Sequence, residues 1–281
     1  MRTILIAAMS FTVTACSNSA GFAGLFASCS NGGATTQLAT VQAQSLMLSK
    51  YAQDAADGNV DAFAALHSTA SDIRAKLAQL EQSDAANAGI RDSLREVESS
   101  SAQLDARIDS ILKKKEAVLS GRAAAEEVNA KLAVLNSRMD EVLKILTEKA
   151  GSTQQVFLAG RQMLYVDRML RRVQTTLQGG EEAVSAIQGL QRDAQFYGAV
   201  LNGMIDGNED LDIKAMSNAS VLAILKDIRT QWISLDPALA KLLSSAGDLV
   251  DVRDAANQAQ LDSTTLMLRT TAAMNQLNKS R

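Results

Sequence analysis

Apolar residues recur every three or four positions along this chain, from about Thr36 to its final residue. This spacing places them on one side of a helix, and short polar or glycine-containing segments separate successive helices. The pattern predicts a first helix from Thr36 to Asp57 and, after Gly58 and Asn59, a second from 60 to 82. Two helices joined so closely are expected to form an antiparallel hairpin.

The stretch from about 85 to 149 repeats apolar residues at near-heptad intervals and contains no proline. It predicts two long helices of coiled-coil type, with a break near Ser120 and Gly121 after which the chain runs back along the first helix. Further helices are predicted over 153–178 and 181–205, and the polar run that follows the second of them predicts a loop.

The end of the chain carries its single proline, Pro237, directly after Asp236. An aspartate can cap a helix and proline suits the first helical position. We therefore expect a short helix over 218–234 and a separate last helix that begins at Pro237 and continues to Arg281.

A shift of about 120 residues aligns the turn at Gly58 and Asn59 with Gly179 and Gly180. In both copies a helix ends at a glycine and an apolar-striped partner begins, which indicates an internal duplication. The prediction is an all-α fold: an elongated bundle of long antiparallel helices in two tandem four-helix-like modules. The expected divisions are residues 1–33 as a signal or anchor segment, 34–150 as the first module and 151–281 as the second.

Composition supports the all-α fold and excludes one class of function, nucleic-acid binding. Hydrophobic residues make up 47% of the chain but aromatic residues only 4%, which favours narrow helix-to-helix seams over a bulky core. The formal net charge of −3, from 28 basic and 31 acidic residues, provides no basic field for a phosphate backbone. Nucleic-acid binding is therefore not expected.

The first fifty residues carry no charge between Arg2 and Lys50, and they begin with an apolar run. Three interpretations are open: a cleaved secretion signal, a lipoprotein signal in which Cys16 would be acylated after cleavage, and a retained membrane helix. An incorrectly assigned start is a fourth. The first three place the body of the protein in the periplasm, anchored to the inner membrane in the second and third.

Two segments resemble a known family. Ser45 to Asn59, followed by Ala62 and Phe63, resembles the first periplasmic segment of PilJ-type methyl-accepting transducers, which serve the type IV pilus chemosensory system. Phe157 to Gln162, followed by Arg168 to Leu170, resembles a second copy of that segment. The resemblance covers about Thr36 to Arg281.

The resemblance implies a periplasmic, membrane-anchored homodimeric sensor module that passes a helix displacement to a cytoplasmic signalling region. Its input would be the pilin subunit or a small periplasmic ligand. Because no membrane helix or signalling tip follows Arg281, this chain is expected to be the sensor part of a chemoreceptor for twitching motility. A periplasmic helical-bundle lipoprotein, acting as a scaffold or adhesion spacer, is the alternative.

Arginine residues within the second segment are the candidate ligand-binding groups. The segment is also distantly similar to the arginine-bearing helix of nitrate sensor kinases, but the anion-gripping position falls on Met163, so nitrate sensing is not expected. Four residues could still bind an anion or an acidic peptide through forked donors and an aromatic ring: Arg161, Tyr165, Arg168 and Arg172. Otherwise these arginines would be solvated, or paired with Asp167, Glu181 and Glu182.

Catalytic chemistry has no visible basis in the sequence. His67 is the only histidine and has no second histidine or cysteine close to it, so neither zinc ligation nor a Ser-His-Asp arrangement is expected. The prediction is a protein that is not an enzyme and has no catalytic residues, metal or cofactor. Trp232, the single tryptophan, is expected to pack against the bundle, although it could also line a binding cleft.

Overall fold

The computed structural model describes residues 26–82, 90–149 and 151–279, with side chains from residue 33 onward. This part of the chain forms seven helices: α1 (Phe26–Ala56), α2 (Val60–Glu81), α3 (Arg91–Lys113), α4 (Lys115–Glu148), α5 (Thr153–Gln178), α6 (Glu181–Asp206) and α7 (Ala219–Lys279). The described residues contain no β-strand beyond one isolated bridge between Asn208 and Ile213. The predicted all-α fold is confirmed.

The seven helices form two four-helix bundles stacked end to end. The lower bundle contains α1, α2, α3 and the second half of α7, whereas the upper bundle contains α4, α5, α6 and the first half of α7. Helix α7 therefore runs through both bundles; its 61 residues extend over roughly 90 Å at 1.5 Å per residue. Helices from both predicted modules contribute to the upper bundle, because α4 packs with α5 and α7.

Helices α3 and α4 follow each other along the rod, and both run antiparallel to α7, as two contacts far apart along α7 show. Ser93 of α3 hydrogen-bonds Gln276 near the end of α7, and Arg138 of α4 pairs with Asp227 near its beginning. In the lower bundle, the Ser263 hydroxyl of α7 donates a 2.6 Å hydrogen bond to the Ser45 carbonyl of α1. The beginning of α1 and the end of α7 therefore lie at the same end of the rod.

Two hairpin turns meet where the bundles join, a region that we call the waist. Gly58, between α1 and α2, and Gly179, between α5 and α6, have φ angles of 88° and 73°, which glycine adopts without steric cost. A Cβ at Gly58 would lie 3.2 Å from Arg122 Cγ, and one at Gly179 would lie 2.6 Å from Arg253 Cγ. Each turn therefore packs directly on an arginine of another helix, Arg122 of α4 or Arg253 of α7.

The waist arginines tie these turns together through shared acceptors. Asp57, the last residue before Gly58, pairs with both Arg122 and Arg253. Both arginines also donate to the Leu177 carbonyl at the end of α5, each at 3.4 Å. Burial, reinforced by the like charge of Arg253, lowers the pKa of the Arg122 guanidinium. Four helices from both bundles thus meet in one polar cluster.

The predicted break at Ser120 and Gly121 is wrong, because the helix breaks at Lys114 instead. The predicted return of the chain after the break is wrong too, because α4 continues in the direction of α3 and both run antiparallel to α7. Gly121 lies inside α4, where a Cβ would be 2.8 Å from Ser245 Cβ. The glycine permits close approach of α4 and α7 and does not end a helix. The Lys114 ammonium pairs with Asp248 and Asp251 of α7, which holds the break against the through-going helix.

The predicted separate helix from Pro237 is also wrong, because α7 is continuous through the proline. Proline removes one backbone hydrogen bond and disturbs the preceding turn. Lys131 of α4 donates a 2.6 Å hydrogen bond to the Ser234 carbonyl in that turn, which supplies an additional donor there. A neighbouring helix thus supports the chain at a position where local sequence favours a break.

The remaining boundaries agree closely with the sequence pattern, except that α1 begins at Phe26, ten residues before its predicted start. Within the described residues, no helix combines the length and apolar character needed to cross a membrane. Cys16, and with it the choice between lipoprotein and other leader types, lies outside the described residues.

Candidate functional site

The candidate site lies along the α5–α6 hairpin of the upper bundle. Helix α5 begins with a capping box, in which Ser152 and Gln155 each bond the other's backbone N–H. It ends at Gly179 and Gly180, both with positive φ, and this turn sends α6 back along α5. The hairpin therefore fixes the relative register of two helices that carry charged residues at their shared edge.

The structure brings all four predicted ligand-binding residues into one cleft. Their spacing of four, three and four residues places Arg161, Tyr165, Arg168 and Arg172 on one stripe of α5. The cleft has a volume of about 280 Å³, and α6 contributes Arg192, Asp193 and Phe196 to it.

Asp193 is the acidic centre of this cleft, and its exposed fraction is only 2%. One carboxylate oxygen lies 2.8 Å from Arg168 Nη2 and the other 2.7 Å from Arg172 Nη1. The contact with Arg172 is short but poorly aligned, because neither Arg172 Nη1 nor Asp193 Oδ2 forms a hydrogen bond. Arg172 lies across Gly189 of α6, where a Cβ would be 2.2 Å from Nη1.

The cleft carries an excess of positive charge. Four arginines line it, and Asp193 is the one acidic residue among its described lining residues. Arg161 and Arg192 form no ion pair within the described part of the chain. The alternative partners named from the sequence do not pair with these arginines; Asp167 instead accepts a hydrogen bond from Asn136 of α4. The arrangement is suited to binding an anionic group.

Aromatic rings form one wall of the cleft. The Tyr165 and Phe196 rings are nearly parallel, with an interplanar angle of 10° and centroids 6.3 Å apart. The guanidinium carbons of Arg161 and Arg168 each lie 5.5 Å from the Tyr165 centroid. Tyr165 is 5% exposed, so it positions the arginines through its ring face more than it offers surface to a ligand.

Sequence reasoning missed Arg192, Asp193 and Phe196 because they lie on a different helix. The α5–α6 hairpin was predicted correctly. Asp193 lies on the face of α6 that is turned toward the arginines of α5, and its charge was the signal that could have identified it. Met163, at the anion-gripping position of the nitrate sensors, is partly buried and packs against the hydrophobic core.

Comparison with known proteins identifies sequence relatives but no matching family model. The chain is 35% identical over 123 residues to Protein PilJ of Pseudomonas aeruginosa, covering 44% of this chain and 18% of that protein. It is 28% identical over 138 residues to the putative methyl-accepting chemotaxis protein AlkN of Alcanivorax borkumensis, covering 49% of this chain and 20% of that protein. The matches thus span about a fifth of the length of either relative.

Solved structures superpose on this chain only with low TM-scores. The sensor domain of the V. parahaemolyticus histidine kinase sensor TorS superposes with a TM-score of 0.41 and 11% identity, covering 88% of this chain and 97% of that one. A TorS sensor domain in complex with TorT gives a TM-score of 0.37 and 10% identity, covering 87% and 99% of the two chains. The sequence comparison with the curated relatives confirms the resemblance of this chain to the PilJ-type methyl-accepting transducers.

Proposed function

We propose that this chain is the periplasmic sensor region of a methyl-accepting chemotaxis-type transducer that controls type IV pilus motility. The observation that carries this proposal is the 35% identity to Protein PilJ over 123 residues. The fold supports it, because the beginning of α1 and the end of α7 lie at one end of the rod. Both could connect to the same inner membrane, with the upper bundle projecting into the periplasm.

In this proposal the arginine cleft receives the input. An anionic group of a small periplasmic ligand or of a pilin subunit would bind Arg161 and Arg192, which Asp193 does not neutralise. Because α5 and α6 form the cleft and both pack on α7, a shift of the hairpin would displace α7 relative to its neighbours. Helix α7 would carry that displacement through the waist to the membrane end.

Small residues at the seam between α1 and α7 would permit such a displacement. Ala52 and Ala55 of α1 and Ala256 of α7 are fully buried close to the waist. Short side chains interlock less deeply than leucine or isoleucine, so two helices can slide or rotate with fewer rotamer changes. We further propose that the receptor acts as a homodimer, as the resemblance implies.

Deletion of the gene in its native host tests the proposed role. Twitching motility should be lost and should return when the unaltered gene is supplied on a plasmid. Trypsin added to spheroplasts should cleave the chain while a cytoplasmic marker survives. Normal twitching in the deletion strain would contradict the sensor role, and an acylated Cys16 in the mass spectrum of the mature chain would favour the lipoprotein alternative.

Binding of citrate, used as a model polyanion, tests the cleft separately. The double substitution Arg161→Met and Arg192→Met should weaken citrate binding about tenfold or more by calorimetry, since each arginine supplies an unneutralised charge. Arg171→Met is the matched control, because Arg171 lies on α5 but does not line the cleft. Equal citrate affinities in the double variant and the unaltered protein would exclude the cleft as an anion site.

A further inference from the structure

A second binding site is indicated by an open groove between α6 and α7 in the upper bundle. The groove has a volume of about 460 Å³, within the range of small-molecule sites. Small and apolar residues form most of its walls, and its polar groups are Gln191, Gln195, Trp232 and Asp236. It shares no lining residue with the arginine cleft.

Packing holds the Trp232 indole in a fixed position at this groove. Its ring lies 4.5 Å from the Tyr197 ring, centroid to centroid, with the planes tilted by 44°. Gly198 makes room for the indole, because a Cβ there would lie 3.1 Å from Nε1. Trp232 remains partly exposed and lines the groove, so part of an aromatic surface is presented to solvent.

Charge distinguishes this groove from the arginine cleft. Asp236 lies one helical turn after Trp232 on α7 and is exposed. Its carboxylate has no ion pair or side-chain hydrogen bond within the described part of the chain. No lysine, arginine or histidine is found among the described residues that line the groove. The groove therefore combines an aromatic surface with an unpaired negative charge.

We propose that this groove binds a small organic cation that carries a primary or quaternary ammonium group. Such cations are attracted to the face of a tryptophan ring, and a nearby carboxylate adds direct charge attraction. Leu239 and Leu243 would contact the apolar part of the ligand. The volume favours a free solute over a protein partner. This site is independent of the proposed sensor role.

The single tryptophan makes the site directly observable, since Trp232 is the only one in the chain. Titration with choline should change the tryptophan fluorescence in a saturable manner. The neutral isostere of choline, in which carbon replaces the ammonium nitrogen, should bind about tenfold more weakly or not at all. Ethanolamine tests whether a primary ammonium group suffices; binding by either cation supports the proposal.

Substitution of the carboxylate completes the test. Asp236→Asn should weaken choline binding about tenfold, whereas Asp210→Asn, which removes the same charge from the loop between α6 and α7, should leave it unchanged. Circular dichroism confirms that both variants remain folded. The proposal is overturned if neither cation saturates the fluorescence change, if the neutral isostere binds as tightly as choline, or if Asp236→Asn has no effect.

Discussion

Gly121 of α4 and Ser245 of α7 allow the two long helices to approach so closely that a Cβ added to the glycine would lie 2.8 Å from the Ser245 Cβ. Leu249 Cδ1 would lie 3.0 Å from the same added atom. Both partners are buried, so neither can move away without disturbing the core.

Substitution of Gly121 by valine should therefore lower the free energy of unfolding by about 2 kcal/mol, since overpacking outweighs the gain in helix propensity. Gly160→Ala and Gly247→Ala are matched controls, because an added Cβ meets nothing within 4 Å at either position. Each control should raise the free energy of unfolding by about 0.5–1 kcal/mol. Urea unfolding measures all three, and an unchanged midpoint for Gly121→Val would contradict close packing at this seam.

The waist should lose rigidity when Arg253 is replaced by methionine. This change removes the contacts of the guanidinium with Asp57, Gln53 and the Leu177 carbonyl, at an expected cost of about 1–2 kcal/mol. Hydrogen exchange should accelerate near residues 53–59 and 174–180, where those partners lie. Arg269→Met, which breaks an exposed pair with Glu96 lower on the same helix, should leave exchange at the waist unaffected.

Tyr197 should tolerate loss of its hydroxyl group unusually well. The side chain is fully buried, its hydroxyl has no hydrogen-bond partner within the described part of the chain, and burial raises its pKa. Removal of an unsatisfied buried polar group recovers its desolvation cost, so Tyr197→Phe should raise the free energy of unfolding by about 1 kcal/mol. A destabilised variant in thermal unfolding would mean that the hydroxyl has a partner in solution.

Glu98 should stabilise the fold more when its carboxyl is protonated than when it is ionised. Burial raises the pKa of this carboxyl, and the nearby carboxylate of Glu81 raises it further. Because the folded chain binds this proton more tightly, the stabilisation is present below the ordinary pKa of about 4.3 and is lost as the pH rises through the raised value.

The substitution Glu98→Gln mimics the protonated carboxyl. It should therefore raise the melting temperature at neutral pH and leave it unchanged near pH 3. Glu209→Gln is the control, because it removes a carboxylate from an exposed position in the loop between α6 and α7. A melting temperature that falls at neutral pH in Glu98→Gln would show that the ionised carboxylate stabilises the fold.

Local chemistry explains which boundaries the sequence predicts well. The α5–α6 turn follows from Gly179 and Gly180, since both adopt positive φ angles that are costly for other residues. Gly121 is also a glycine, but it allows α4 to pack closely against α7. Because α7 is distant in sequence, a local sequence pattern does not reveal this role. Pro237 is similar, because a lysine on α4 supports the turn that the proline disturbs.

The candidate site shows the same division. The stripe of Arg161, Arg168 and Arg172 follows from helical spacing alone, and these residues do share one cleft. The buried carboxylate that neutralises part of their charge comes from α6 and depends on the register of the hairpin. Sequence spacing within one helix therefore predicts the cationic side of the site but not its partner.

The waist also has a mechanical consequence. Both hairpins turn back there, so the only backbone that crosses it among the described residues is the α3–α4 pair and α7. Each bundle has four helices side by side, whereas only two helical segments cross the waist. The bending stiffness of the rod is therefore lowest at the waist. Side forces on the outer tip would therefore concentrate curvature at Arg122 and Arg253, and the Lys114 break lies next to the point of greatest flexure.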